Sequence, residues 1–65
     1  MKLREIRLQR KMTLEELSEL SGVNRVTINR YELGQRTPSV DMALKLASAL
    51  GCTVEELFAD TEQSA

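Results

Sequence analysis

The 65-residue chain predicts an all-α fold of five short helices around one core. Three observations predict it. Apolar residues return at spacings of three and four in separate stretches, the period of a buried helical stripe. Two Thr-x-x-Glu boxes, Thr13 with Glu16 and Thr53 with Glu56, mark helix starts. Gly22, Gly34, Pro38 and Gly51 punctuate the stretches, and no β-hairpin signal, internal repeat or low-complexity linker occurs.

Helix 1 is expected from about Lys2 to Arg10. Leu3 and Ile6 form its buried stripe, and Arg10 and Lys11 suit its negative C-terminal end. Met12 packs as the chain turns. Helix 2 starts at Thr13, with Leu14, Leu17 and Leu20 at spacing three and the small Ser18 among them. Ser21-Gly22-Val23 then forms a turn, with glycine where a positive φ costs least. Asn24 suits the N-cap of helix 3. That helix, Arg25 to Leu33, has apolar residues at 28 and 31 and polar ones at 25, 29 and 30. Two short helices joined by a tight glycine turn make a helix-turn-helix. Such a motif holds its second helix where side chains reach base edges in the major groove of duplex DNA.

Gly34 and Pro38 stop helix 3, since glycine tolerates the C′ position and proline cannot continue a helix. Ser39 can cap helix 4, with Asp41 favourable in its first turn. Val40, Ala43, Leu44, Ala47 and Leu50 read as its buried face, and Gly51 ends it. Thr53 starts helix 5, which buries Val54, Leu57 and Phe58. The expected domain covers 1–59. The polar stretch 60–65, DTEQSA, reads as a fraying C-terminal tail.

Composition narrows the function classes. Tyr31 and Phe58 are the only aromatics, so the core must be aliphatic. No apolar run approaches the roughly 20 residues that span a bilayer, and the charged start MKLREIRLQRK lacks the apolar segment of a signal peptide. No membrane role is expected, and the simplest compartment is a reducing cytoplasm of bacterial or phage type, with the protein on the nucleoid when bound. Cys52 is the single cysteine and there is no histidine, so neither a disulfide nor a metal set can form within the chain. No nucleophile–base pair or phosphate-cradling loop is present either. An enzyme is not expected, nor a cofactor or a small-molecule ligand.

The formal net charge of −1 conceals an asymmetry. Through Thr37 there are eight basic and five acidic residues, a balance of +3; from Pro38 there is one basic residue against five acids, a balance of −4. A molecule with a basic end can present it to phosphates.

The ordered residues also carry a resemblance. Leu3-x-x-Ile6-Arg7, Met12-Thr13, Glu16-Leu17-Ser18, Gly22-Val23, Ile28, Tyr31-Glu32, Gly34, Pro38-Ser39, Leu44-x-Leu46-Ala47-x-Ala49-Leu50-Gly51 and Glu56-Leu57-Phe58 follow one pattern. Over about residues 2 to 58 the chain resembles the lambda-repressor-like, Cro-type helix-turn-helix domains, also called the XRE family. The resemblance implies sequence-specific binding of double-stranded DNA by a small transcriptional regulator, a repressor, with helix 3 (about 25–33) in the major groove. It also implies a homodimer on DNA, joined near Pro38 to Val40 and Val54 to Phe58. Three departures stand out. Leu14 replaces a common glutamine and could touch a thymine methyl instead of hydrogen-bonding. Lys11 stands where glycine often ends helix 1, which would strain that corner. Leu8 and Leu33 occupy positions that are usually polar.

Each helical residue advances about 100°, so Arg25, Val26, Asn29 and Arg30 share one face, opposite Ile28 and Tyr31. They are the expected base readers: arginine pairs with guanine O6 and N7, asparagine with adenine, and valine packs on a thymine methyl. Asn24 and Thr27, in the first turn of helix 3, are expected phosphate contacts because free amides and the helix dipole attract anions there. Gln35, Arg36 and Thr37 join them, since the corresponding loop in the family follows the DNA backbone. The resemblance pairs Arg7 with Glu32, locking helix 1 to helix 3 and setting Arg7 beside the backbone phosphates. Ser18 and Gly22 are structural: a larger side chain at Ser18 would push helices 2 and 3 apart. Cys52 replaces a common valine as a small apolar residue. A reading of a different class is a protein-interaction module, such as an antitoxin or adaptor, using exposed Leu8, Leu14 and Leu33 on the same fold.

Overall fold

The computed structural model describes residues 1–59, and the predicted tail at 60–65 lies outside them. Five helices follow in order: α1 (Leu3–Gln9), α2 (Leu14–Ser21), α3 (Arg25–Glu32), α4 (Val40–Leu50) and α5 (Val54–Leu57). No strand occurs among the described residues.

The helix starts follow the predicted chemistry. Thr13 and Thr53 each accept a hydrogen bond from the backbone N–H three residues on, at 3.0 Å, and Glu16 and Glu56 return the contact at 2.8 Å. Both capping boxes are therefore complete. Asn24 accepts from Val26 N–H at 2.7 Å, and Ser39 from Met42 N–H at 3.3 Å. The starts of α2 to α5 thus satisfy amides that would otherwise lack a partner.

Helix ends show one costly corner. Lys11 N–H donates to Leu8 C=O at 3.0 Å and Met12 N–H to Arg7 C=O at 3.1 Å. That paired closure turns the chain out of α1 and needs one left-handed residue. Lys11 takes it, with φ +58°, the one non-glycine residue at positive φ among the described residues. The strain foreseen for this corner is real, because a Cβ in that conformation costs roughly 1–2 kcal/mol. Gly34, at φ +77°, makes the equivalent paired closure after α3 without that cost.

The core contains Leu3, Ile6, Leu17, Val23, Ile28, Tyr31, Leu46, Ala47, Leu50 and Leu57. Two expected stripes, in α4 and α5, need correction. In α4 the buried face is Ala43, Leu46, Ala47 and Leu50, whereas Val40 and Leu44 point outward. Leu20 is exposed and Leu14 only half-buried, leaving Leu17 as the buried leucine of α2. In α5 only Leu57 is fully buried, while Val54 and Phe58 are partly covered against the core. Val23, expected only as part of a turn, belongs to the core. Arg10 also departs from its expected role. Its Nε reaches across to donate to Leu50 C=O at 2.9 Å, so it caps the end of α4 rather than of α1.

Candidate nucleic-acid interface

The site is built from the α2–α3 corner outward. After α2, Gly22 N–H donates to Ser18 C=O at 2.9 Å. The Ser18 hydroxyl then donates to Val23 C=O at 2.7 Å, and Val23 N–H donates to Ser21 Oγ at 3.1 Å. These bonds stitch the turn to the helix before it. Ser18 therefore has more than the steric role read from the sequence: its hydroxyl satisfies a carbonyl at the corner. Val23 anchors the corner in the core, and Ile28 and Tyr31 anchor α3 itself.

One ion pair holds α3 against α1. Arg7 Nε donates to Glu32 Oε2 at 2.7 Å and its Nη2 to Glu32 Oε1 at 3.2 Å. Arg7 Nη1 donates to Met12 C=O at 2.8 Å. The side chains are only 10% and 3% exposed. A forked guanidinium–carboxylate contact fixes direction as well as distance, so it sets the rotation of α3 about its axis. Arg7 is thus a buried brace. Three of its five N–H donors are engaged in this way.

The opposite face of α3 is open. Arg25, Val26, Asn29 and Arg30 are all exposed. Among the described residues, the side chains of Arg25, Asn29 and Arg30 make no hydrogen bond or ion pair. The structure brings these four together as the helical spacing required. Asn24 sits at the start of the same helix, its side chain engaged in capping, and Thr27 is half-buried. Gln35, Arg36 and Thr37 are exposed in the loop that follows. That loop leaves α3 through Gly34 N–H donating to Tyr31 C=O at 3.1 Å and Gln35 N–H to Arg30 C=O at 2.9 Å. Leu14, half-buried and packed against the core, has limited surface to offer a base.

Two acids border this face. Glu15 and Glu19 of α2 line a shallow cleft together with Arg25 and Val26. Residues six to eleven positions apart along the chain give no sign of this neighbourhood, which exists only once α2 and α3 pack.

Among the described residues no group of three or more His, Cys, Asp or Glu could hold a metal ion. No described helix is long and apolar enough to cross a membrane. Cys52 is half-buried, and burial pushes its thiol above the ordinary range. Nearby Glu56 pushes it further up, against a smaller opposing effect of Arg10.

The profile of a helix-turn-helix family matches residues 3–57. The chain belongs to the helix-turn-helix family. Relatives of this helix-turn-helix protein are regulators by name. An uncharacterised HTH-type transcriptional regulator of Archaeoglobus fulgidus is 40% identical over 57 residues, covering 88% of this chain and 81% of the relative. Another, of Methanocaldococcus jannaschii, is 37% identical over 57 residues, covering 88% and 86%. The cryptic phage CTXphi transcriptional repressor RstR of Vibrio cholerae is 34% identical over 61 residues, covering 94% of this chain but 55% of the relative. No solved structure matches the chain.

Proposed function

We propose that the chain is a transcriptional regulator that binds double-stranded DNA sequence-specifically, with α3 in the major groove, and acts as a repressor. The observation that carries the reading is the division of α3. Its inner face is locked by Ile28, Tyr31 and the Arg7–Glu32 pair, while Arg25, Asn29 and Arg30 stand outward without partners among the described residues. A rigid helix with unspent donors is what base-edge readout needs. The likeness to a phage repressor supports the repressing sign.

In this reading Arg25, Val26, Asn29 and Arg30 contact bases. Asn24 and Thr27 offer the first-turn amides of α3 to a phosphate, and Gln35, Arg36 and Thr37 contact the backbone beyond it. Arg7 contributes by holding α3 in place. One small domain buries limited DNA surface, so two copies bind half-sites about 34 Å apart.

Selection from a random duplex library tests the reading. A defined site should be enriched, and Arg30→Ala should weaken binding to it. No enrichment, together with an indifferent Arg30→Ala variant, overturns base reading. Arg36→Ala should lower the salt dependence of binding by about one unit of slope and weaken all duplexes alike. The adaptor reading predicts salt-insensitive docking through leucines. It draws support from exposed Leu8 and Leu33, but Leu14 is partly withdrawn into the core.

A further inference from the structure

The outer face of α4 presents an apolar stripe that no described residue covers. Val40 is 75% exposed and Leu44, one turn later, 53%. Asp41 and Lys45, also a turn apart, lie exposed beside them, and neither makes a hydrogen bond or ion pair among the described residues. Leu20 extends the stripe, because it shares a groove with Leu44, Lys45 and Ser48.

These four α4 residues are self-complementary. Two copies of α4 can be laid antiparallel with the two-fold axis between Met42 and Ala43. Val40 then faces Leu44 of the second copy, and Asp41 faces its Lys45, each within one residue's rise of about 1.5 Å. Both contacts repeat across the axis, as an isologous interface requires. The contact at α5 implied by family resemblance has less to offer, since Val54 and Phe58 are already packed against the core.

We infer that the outer face of α4 is the docking surface for a second copy of this chain, with the two α4 helices antiparallel. The inference rests on the reading of the protein as a pair of copies and names the face they share. One helix face is small beside the roughly 800 Å² per partner of a standard interface, so pairing depends on concentration.

Sedimentation equilibrium of the full chain without DNA tests it. The wild type should self-associate, and Leu44→Ser should weaken association by about tenfold or more with helicity retained. Asp41→Lys brings four cations together across the axis and Lys45→Asp four anions, so each variant alone should lose about tenfold. An equimolar mixture of the two variants should recover association, because each then meets its opposite charge. A helix merely weakened by substitution would not recover on mixing. A mixture no stronger than its parts, or a wild type still monomeric at about 1 mM, overturns the inference. Duplex selection with the same wild-type protein reports separately on α3. An enriched site without pairing removes only the α4 surface, and pairing without an enriched site removes only the DNA reading.

Discussion

The two faces of α3 differ in one respect that organises the whole molecule. On the inner face each functional group has a partner: Ile28 and Tyr31 have the core, and Glu32 has Arg7. On the outer face Arg25, Asn29 and Arg30 have none among the described residues. Eight residues thus divide into a set that holds the helix and a set left available. In the proposed reading, stability and recognition share one short helix and need not interfere, because α-helical geometry keeps the two sets on opposite sides.

Breaking the inner face should have the largest effect. Glu32→Ala leaves the guanidinium of Arg7 buried without its counter-charge, and such a loss typically costs about 3–5 kcal/mol. For a domain of this size that approaches total stability, so urea denaturation should show a protein largely unfolded or close to it. If Glu32→Ala unfolds near the wild-type midpoint, the ion pair does not hold α3.

Arg30→Ala tests the outer face. It should remove roughly 1–3 kcal/mol of discrimination at one base pair while leaving stability within about 0.5 kcal/mol, as surface changes generally do. Competition gel shifts and thermal melts on the same samples measure both. A large loss of stability would show that the two faces are not independent.

Lys11→Gly sharpens the comparison from outside α3. It relieves the left-handed lysine that closes α1, and should stabilise the fold by about 0.5–1 kcal/mol after the added freedom of the unfolded chain is counted. Duplex affinity should stay unchanged. An unaltered or lowered melting temperature would mean that Lys11 makes a compensating contact.

Cys52 gives the smallest effect. Its thiol is raised above the ordinary value, chiefly by burial. A raised folded-state value favours the protonated form, so stability is full below the unfolded thiol's range and declines only as pH rises through it. Alkylation near pH 8 should accordingly be slower in the folded chain than in the urea-unfolded chain. Equal rates would contradict the burial.

The residues read most easily were those whose work is done within four positions of chain. Both capping boxes, the caps at Asn24 and Ser39, the turn at Gly22 and the strained Lys11 are local hydrogen-bond or φ requirements. Local chemistry also placed Arg25, Val26, Asn29 and Arg30 on one side of α3, since the helical period alone requires it. Family resemblance supplied the Arg7–Glu32 pair, which no spacing rule could join across 25 residues.

What only the tertiary structure decided was which way each helix turns. The apolar series in α4 contained Leu44 and Leu46 on different sides, and packing against neighbouring helices chose Leu46. The same choice left Val40 and Leu44 outside, sent Arg10 to the end of α4 and set Glu15 and Glu19 beside Arg25. The amino-acid order determines where a helix begins and ends because those energies come from near neighbours. The face it buries depends on surfaces brought together from distant parts of the chain.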